Sequence, residues 1–460
     1  MSVPERSRRE RSRRDSINKN IMKTTITIAL LFAALAASGQ THSGPWTLAE
    51  CVRHAQENNI TLKQSELQVK QQEIRLETTK GSRLPMVSGS ASENFSFGRG
   101  LTADNTYSNT NTTSTGLSLG TSVPIFQGLR ISNSIKGGEL DLKAATADLQ
   151  KAREDISVAV AQAYVQILYN MELLDVALNQ VRIDSLQVER LSAMFENGKA
   201  SSAQVAQQKS ALGQSRLSAT QARNSLNLSL LDLSQLLELP DPEGFSIVRP
   251  DVPIDGILLG NPEDIYAEAL DNKPAIKAEM FRLESTEFSI KSAKGAFLPS
   301  LSASGGVGTN YYTMSAAPSA VFFDQIKNNF SQYLGLSLSV PIFSGFQNRN
   351  QVRSAELART NQMLQLENTK KSLYKEIQQA YYNAVAAAEK YRSSGDALAS
   401  AKESFTLVTA KYENGKANIT EFNEARDTWL RSESDLARSR YEYLYSAKLL
   451  DFYRGRPLEF

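Results

Sequence analysis

Ser122-Val123-Pro124-Ile125-Phe126-Gln127-Gly128 returns as Ser339-Val340-Pro341-Ile342-Phe343-Ser344-Gly345, 217 residues further on. The same offset carries Gln162-Ala163-Tyr164 onto Gln379-Ala380-Tyr381, and Glu196-Asn197-Gly198-Lys199 onto Glu413-Asn414-Gly415-Lys416. Upstream, Lys80-Gly81 with Leu84-Pro85 matches Lys294-Gly295 with Leu298-Pro299 at an offset of 214. The chain is therefore read as one unit written twice, with a three-residue difference in a polar loop between Pro85 and Pro124.

Each unit opens with a predicted helix, roughly Thr47–Lys80 and Pro262–Lys294, followed by two strands. Leu117, Leu119, Thr121 and Val123 alternate with Gly116, Ser118, Gly120 and Ser122. Leu334, Leu336, Leu338 and Val340 alternate with Tyr333, Gly335, Ser337 and Ser339. A period of two with one greasy face and one Ser/Gly face suits a strand of ~10 residues crossing a bilayer. A soluble sandwich would carry Lys and Glu on its wet face instead.

Beyond the strands no proline occurs from Leu129 to Leu239, and apolar positions fall in sevens. Val160, Ile167, Leu174, Val181 and Val188 are matched by Ile377, Ala384, Tyr391, Leu398 and Phe405. A sustained seven-residue period predicts packed, coiled helices. Each unit thus holds a long hairpin turning at Asn197-Gly198 or Asn414-Gly415. Residues 130–196 would span ~100 Å at ~1.5 Å per residue. The returning helix (~60 Å) and the early helix (~51 Å) are each too short, so the two must stack end to end to match it.

Composition narrows the function. Residues 1–21 hold seven basic and three acidic side chains; without these and Lys23, 43 basic face 46 acidic groups, which gives a nucleic-acid partner no support. Met22-Lys23, the apolar run Ile26–Ala37 and Ala37-Ser38-Gly39 read as a secretory signal peptide over 22–39, with 1–21 an upstream mis-start. A twin-arginine signal at Arg8-Arg9 or Arg13-Arg14 is the rival, but polar residues follow both pairs. One cysteine, Cys51, and two histidines, His42 and His54, leave no disulfide, zinc cluster or Cys–His nucleophile pair. No catalytic residue, metal or cofactor is expected.

The resulting layout is mainly α in an α+β chain: repeat 1 over 40–240 (strands about 85–98 and 113–124, hairpin about 130–238), a linker over 241–261, and repeat 2 over 262–460 (strands about 299–311 and 331–341, hairpin about 347–453). Four strands cannot close a barrel, and open sheet edges do not survive in lipid, so the unit must be an oligomer with a pooled barrel.

This order, with Val123-Pro124-Ile125-Phe126 and Gly128, the paired Leu-Pro sites, and Tyr412-Glu413-Asn414-Gly415 followed by Glu424-Ala425-Arg426, resembles the TolC family of outer-membrane efflux proteins. The resemblance implies a homotrimer in the outer membrane, with a twelve-stranded barrel in its lipid continued into a periplasmic α-helical barrel. It also implies a periplasmic adaptor (membrane fusion protein) and an inner-membrane pump that powers export, since this chain has no phosphate-binding loop. Adaptor docking falls on the tips, Asn197-Gly198-Lys199 and Asn414-Gly415-Lys416, where many members carry apolar residues around the glycine. The acidic pore constriction falls on Glu421 and Glu424, on one helix face, against Gln204 and Gln207 in the first repeat. Closed-state contacts fall on Tyr412 and Gln204, while an expected arginine is replaced by Ala417. The expected function is a passive trans-periplasmic exit duct. The alternatives are a periplasmic coiled-coil scaffold without a pore, which leaves the two-faced strands unexplained, and an outer-membrane enzyme, for which no residue constellation exists.

Overall fold

The computed structural model describes residues 44–101, 105–240, 244–250, 260–315 and 319–458. The readings for residues 1–21, for the signal peptide and for most of the linker lie outside them. The chain divides into two units. In the small one Trp46 bridges Ile247 in parallel, its N–H donating to the Ser246 carbonyl (2.8 Å) and its ring meeting Phe245 edge-on at 6.0 Å.

The large unit carries the remaining elements: α1 (Leu48–Asn58), α2 (Ile60–Gly81), β1 (Met86–Ser96), β2 (Arg99–Leu101), β3 (Tyr107–Asn109), β4 (Thr112–Gln127), α3 (Arg130–Glu196) and α4 (Ser202–Leu236). There follow α5 (Pro262–Asn272), α6 (Pro274–Lys294), β5 (Ser300–Met314), α7 (Phe322–Asn328), β6 (Ser331–Ser339), α8 (Gln347–Glu413) and α9 (Ile419–Tyr453). Both long helices have 67 residues and both returning helices 35.

Four strands form one antiparallel sheet in the order β1-β4-β5-β6. The register collects the greasy positions on one face: Val87, Thr121, Gly305 and Leu334 lie in one row, Val123, Ala303 and Leu336 in another. The opposite face reads Ser90, Ser118, Gly308 and Ser331, then Ser88, Gly120, Gly306 and Tyr333. Gly306 has no room for a side chain, because an added Cβ would stand 2.8 Å from the Tyr333 ring laid across it. Pro124 has no N–H to give the ladder, and the β4–β5 register slips between Pro124 and Phe126. The second strand of the later unit stops at Ser339 rather than 341. It is an edge strand, and neither Pro341 nor a neighbour supports its extension.

The repeated Val-Pro-Ile-Phe-x-Gly stretch is the strand-to-helix turn. Gly128 and Leu129 have φ of +59° and +63°, and Gly345 and Phe346 have +57° and +66°. Two left-handed residues in succession swing the chain out of the sheet and into a long helix. Gly128 is doubly constrained, since a Cβ there would meet the Gly295 carbonyl oxygen at 2.3 Å.

The early helices are not continuous as expected; each is broken once. Asn59 interrupts the first, capping α2 by accepting from the Thr61 N–H (2.9 Å). Pro274 at the first position of α6 starts a new helix after Lys273. The breaks create the end-to-end stacking that the lengths require. Asn59 Nδ2 donates to the Leu236 carbonyl at the end of α4 (3.0 Å), and Lys273 Nζ, 214 residues later, donates to the Phe452 carbonyl at the end of α9 (3.1 Å). Beside the second junction Ile265, Ile276, Ile377, Ala384 and Leu450 form a buried apolar core. Among the described residues no helix is long and apolar enough to cross a membrane.

Candidate functional site: hairpin tips and sheet edges

The two tips are built alike. Helix α3 ends with Gly198 at φ +72°, its N–H donating to the Phe195 carbonyl (2.9 Å) and that of Lys199 to Met194 (2.8 Å). Helix α8 ends with Gly415 at φ +69°, with Gly415 to Tyr412 (3.0 Å) and Lys416 to Lys411 (2.8 Å). This is the Schellman pattern, which satisfies the last carbonyls through a left-handed glycine. Asn197 and Asn414 add side-chain donation to the carbonyls of Ala193 (2.7 Å) and Ala410 (2.8 Å). Both lysines are exposed.

Each returning helix then begins with a reciprocal cap that the sequence reading missed. Gln204 accepts from the Ser201 N–H (2.8 Å) while its own N–H donates to Ser201 Oγ (3.2 Å). Glu421 accepts from the Asn418 N–H (3.1 Å) while its N–H donates to Asn418 Oδ1 (2.9 Å). The signal was a Ser or Asn followed three residues later by Gln or Glu. Glu421 is therefore held at its helix start, and Glu424 stands exposed one turn on.

Tyr412 and Gln204 do not meet within the chain. Gln204 is engaged in its cap, and Tyr412 Oη accepts from Gln187 Nε2 (2.6 Å). The Arg190 guanidinium lies 5.5 Å from the Tyr412 ring centre and pairs with Glu413 (3.2 Å). Burial raises the Tyr412 phenol above its ordinary value, with Arg190 and Gln187 opposing. Leu191, Ile419 and Phe422 close the apolar floor between the two hairpins.

A second link joins the hairpins deeper in. Asp184, fully buried, takes hydrogen bonds from Arg426 and Ser215 and from Gln208 Nε2 (3.0 Å). Arg426 also grips Asp427 through Nε (3.0 Å) and a terminal nitrogen (2.7 Å). No periodicity argument marks this cluster, since its members are polar residues at core positions.

At the other end of the large unit, β1 and β6 each have one edge without a strand partner among the described residues. Two-faced strands joined to paired helical hairpins are the build of an outer-membrane efflux protein whose helices extend into the periplasm. The chain matches the family described as "Outer membrane efflux protein" over residues 51–238 and 265–456, and it belongs to that family. It is 24% identical over 361 residues to the Outer membrane protein TolC of Escherichia coli K12, covering 75% of this chain and 71% of the relative. Among solved structures, VceC of Vibrio cholerae superposes with a TM-score of 0.73 at 19% identity, covering 90% of this chain and 97% of that one. The CmeC channel of Campylobacter jejuni gives 0.72 at 21%, covering 91% and 89%. The first two are described as outer membrane proteins and CmeC as an outer membrane channel.

Proposed function

We propose that three copies of this chain close a twelve-stranded barrel and a helical tube, forming a passive exit duct energised by an inner-membrane pump through a periplasmic adaptor. The observation that carries this reading is the four-stranded sheet with a greasy face and two free edges, β1 and β6. In lipid those edges need partners, and β6 of one copy can take β1 of the next. Helix α8 supports the same reading, since Leu357, Leu364, Tyr382 and Leu407 on it are all more than half exposed. The tips Asn197-Gly198-Lys199 and Asn414-Gly415-Lys416 are the adaptor-docking surface. Glu421 and Glu424, six carboxylates in a trimer, form a cation-favouring constriction near them.

The test is single-channel conductance of the detergent-purified oligomer in a planar bilayer, beside Glu421→Ala/Glu424→Ala. Small cation-selective currents that grow or lose selectivity in the variant are expected. Unchanged currents would move the constriction elsewhere, and a properly inserted oligomer without conductance would overturn the open duct.

A further inference from the structure

Where strands meet helices, the chain carries cations without anions. The windows 78–86 and 125–138 contribute Lys80, Arg83, Arg130 and Lys136; the windows 288–302 and 338–355 contribute Lys291, Lys294, Arg349 and Arg353. None of these four stretches contains Asp or Glu; toward the tube the first carboxylates are Glu77, Glu139, Glu287 and Glu356. All eight cations are exposed. Local pairing removes little of this charge. Lys80 reaches Glu139 only at 3.9 Å, and Glu287 is already taken by Arg359 at 3.1 Å. Arg130, Lys294, Arg349 and Arg353 have no ion-pair partner among the described residues.

The same turns expose large apolar groups. Met86, Ile342 and Phe343 are 76%, 95% and 78% exposed, and Leu129, Phe297 and Phe346 more than half. Ile342 and Phe343 follow the greasy positions Leu336 and Leu338 of β6 toward the tube, and Leu129, Phe297 and Phe346 stand on the same turns, whereas Met86, in register with Ser122, belongs to the Ser/Gly face. A single exposed isoleucine needs no explanation, but several large apolar groups gathered at the strand–helix turns suit the boundary of a bilayer. An apolar band bordered by cations alone is complementary to acyl chains capped by phosphate.

We infer that this collar binds anionic phospholipid of the periplasmic leaflet, the phosphates seated among the Lys and Arg side chains and the chains against the apolar band. The inference rests on the barrel reading only in requiring that the strands cross the membrane. Function of the duct is read by conductance and lipid selectivity by mass, so either can fail alone.

Native mass spectrometry of the purified oligomer, given equal mole fractions of phosphatidylglycerol and phosphatidylcholine, tests it. The wild type is expected to retain phosphatidylglycerol about fivefold over phosphatidylcholine, and high salt to reduce that ratio. Lys294→Gln/Arg349→Gln/Arg353→Gln, which leaves five of the eight cations, should lower it by about half, whereas Lys294→Arg/Arg349→Lys/Arg353→Lys should keep it. Lys199→Gln/Lys411→Gln/Lys416→Gln, which removes as much charge at the tips, should also keep it. Parity in the wild type, or equal loss in the tip variant, would overturn the proposal. So would a Gln collar variant that changes the oligomer's mass while keeping the lipid preference, which would make the collar a subunit contact.

Discussion

The two hairpins have equal lengths and equal turns, yet they are buried differently. Helix α3 buries 16 of its 67 residues and α8 only six. The cause is neighbourhood: α3 is flanked by α1, α2, α4, α6 and α9, whereas α8 touches α5, α6 and α9. A seven-residue period states that a helix packs, not which chain it packs against. The face of α8 left bare here is the one the proposed assembly must cover.

The difference is sharpest at the buried ion pair. Asp184 lies where the second hairpin has Ala401, and Arg426 where the first has Lys209, so the pair exists once and ties one hairpin to the other. Removing one member strands a buried charge, so Asp184→Ala or Arg426→Met alone should destabilise by about 3–5 kcal/mol. Asp184→Leu/Arg426→Met should lose much less. Denaturant titration of the detergent-solubilised protein, followed by circular dichroism, reads this. A double variant as weak as the singles would show that the cluster holds the hairpins by more than charge balance.

The stacking junctions make a second contrast. Asn59 is neutral, while Lys273 is buried against Glu154 (3.0 Å) and lies 3.7 Å from the Phe452 ring centre. Lys273→Met leaves the Phe452 carbonyl without this donor and should cost about 1–3 kcal/mol. Burial lowers the Lys273 ammonium below its ordinary value, with Glu154 opposing. The unfolded chain therefore holds the proton longer, and the penalty, fully present at low pH, is relieved as pH climbs from the depressed value toward ~10.4. The wild type's melting temperature should gain on that of Lys273→Met over that alkaline window. Parallel curves would mean that the lysine is better solvated than its surroundings imply.

The turns, by contrast, should respond alike. A Cβ at Gly198 or Gly415 meets nothing within 4 Å, so Gly→Ala is opposed only by the left-handed backbone, by about 1–2 kcal/mol at either tip. Unequal losses would show that one turn is pressed by something outside the chain.

Much of this was legible in residues. The strand faces, the 217-residue offset and the Asn-Gly turns follow from periods of two and seven and from glycine. The helix breaks were signalled by Pro274 and by Asn59, but each lay inside an otherwise continuous helical pattern. The Asp184 cluster was not legible, because its partners sit 242 residues apart at positions where a period predicts apolar side chains. The candidate constriction was half legible: Glu421 and Glu424 share a face, but the Asn418-x-x-Glu421 spacing that ties Glu421 to the Asn418 amide was passed over. The carboxylate that faces solvent without a capping task is Glu424, and a charge effect on conduction should follow its removal more than that of Glu421.

The smallest expected effect falls on Tyr412, where the two hairpins differ by one hydroxyl. Phe195 holds the equivalent place in the first hairpin and has no hydroxyl. Tyr412→Phe keeps the ring against Phe422, 5.1 Å between centres, and removes only the acceptor used by Gln187. Loss of this one neutral hydrogen bond beside a half-buried phenol should cost about 0.5–1.5 kcal/mol. If Tyr412 also clasps the tube shut, pore currents of the variant should rise as well. Destabilisation with unchanged current would make Tyr412 a packing residue that joins hairpins. A raised current without destabilisation would make it a clasp between copies, and the asymmetry of the two tips would then be functional rather than structural.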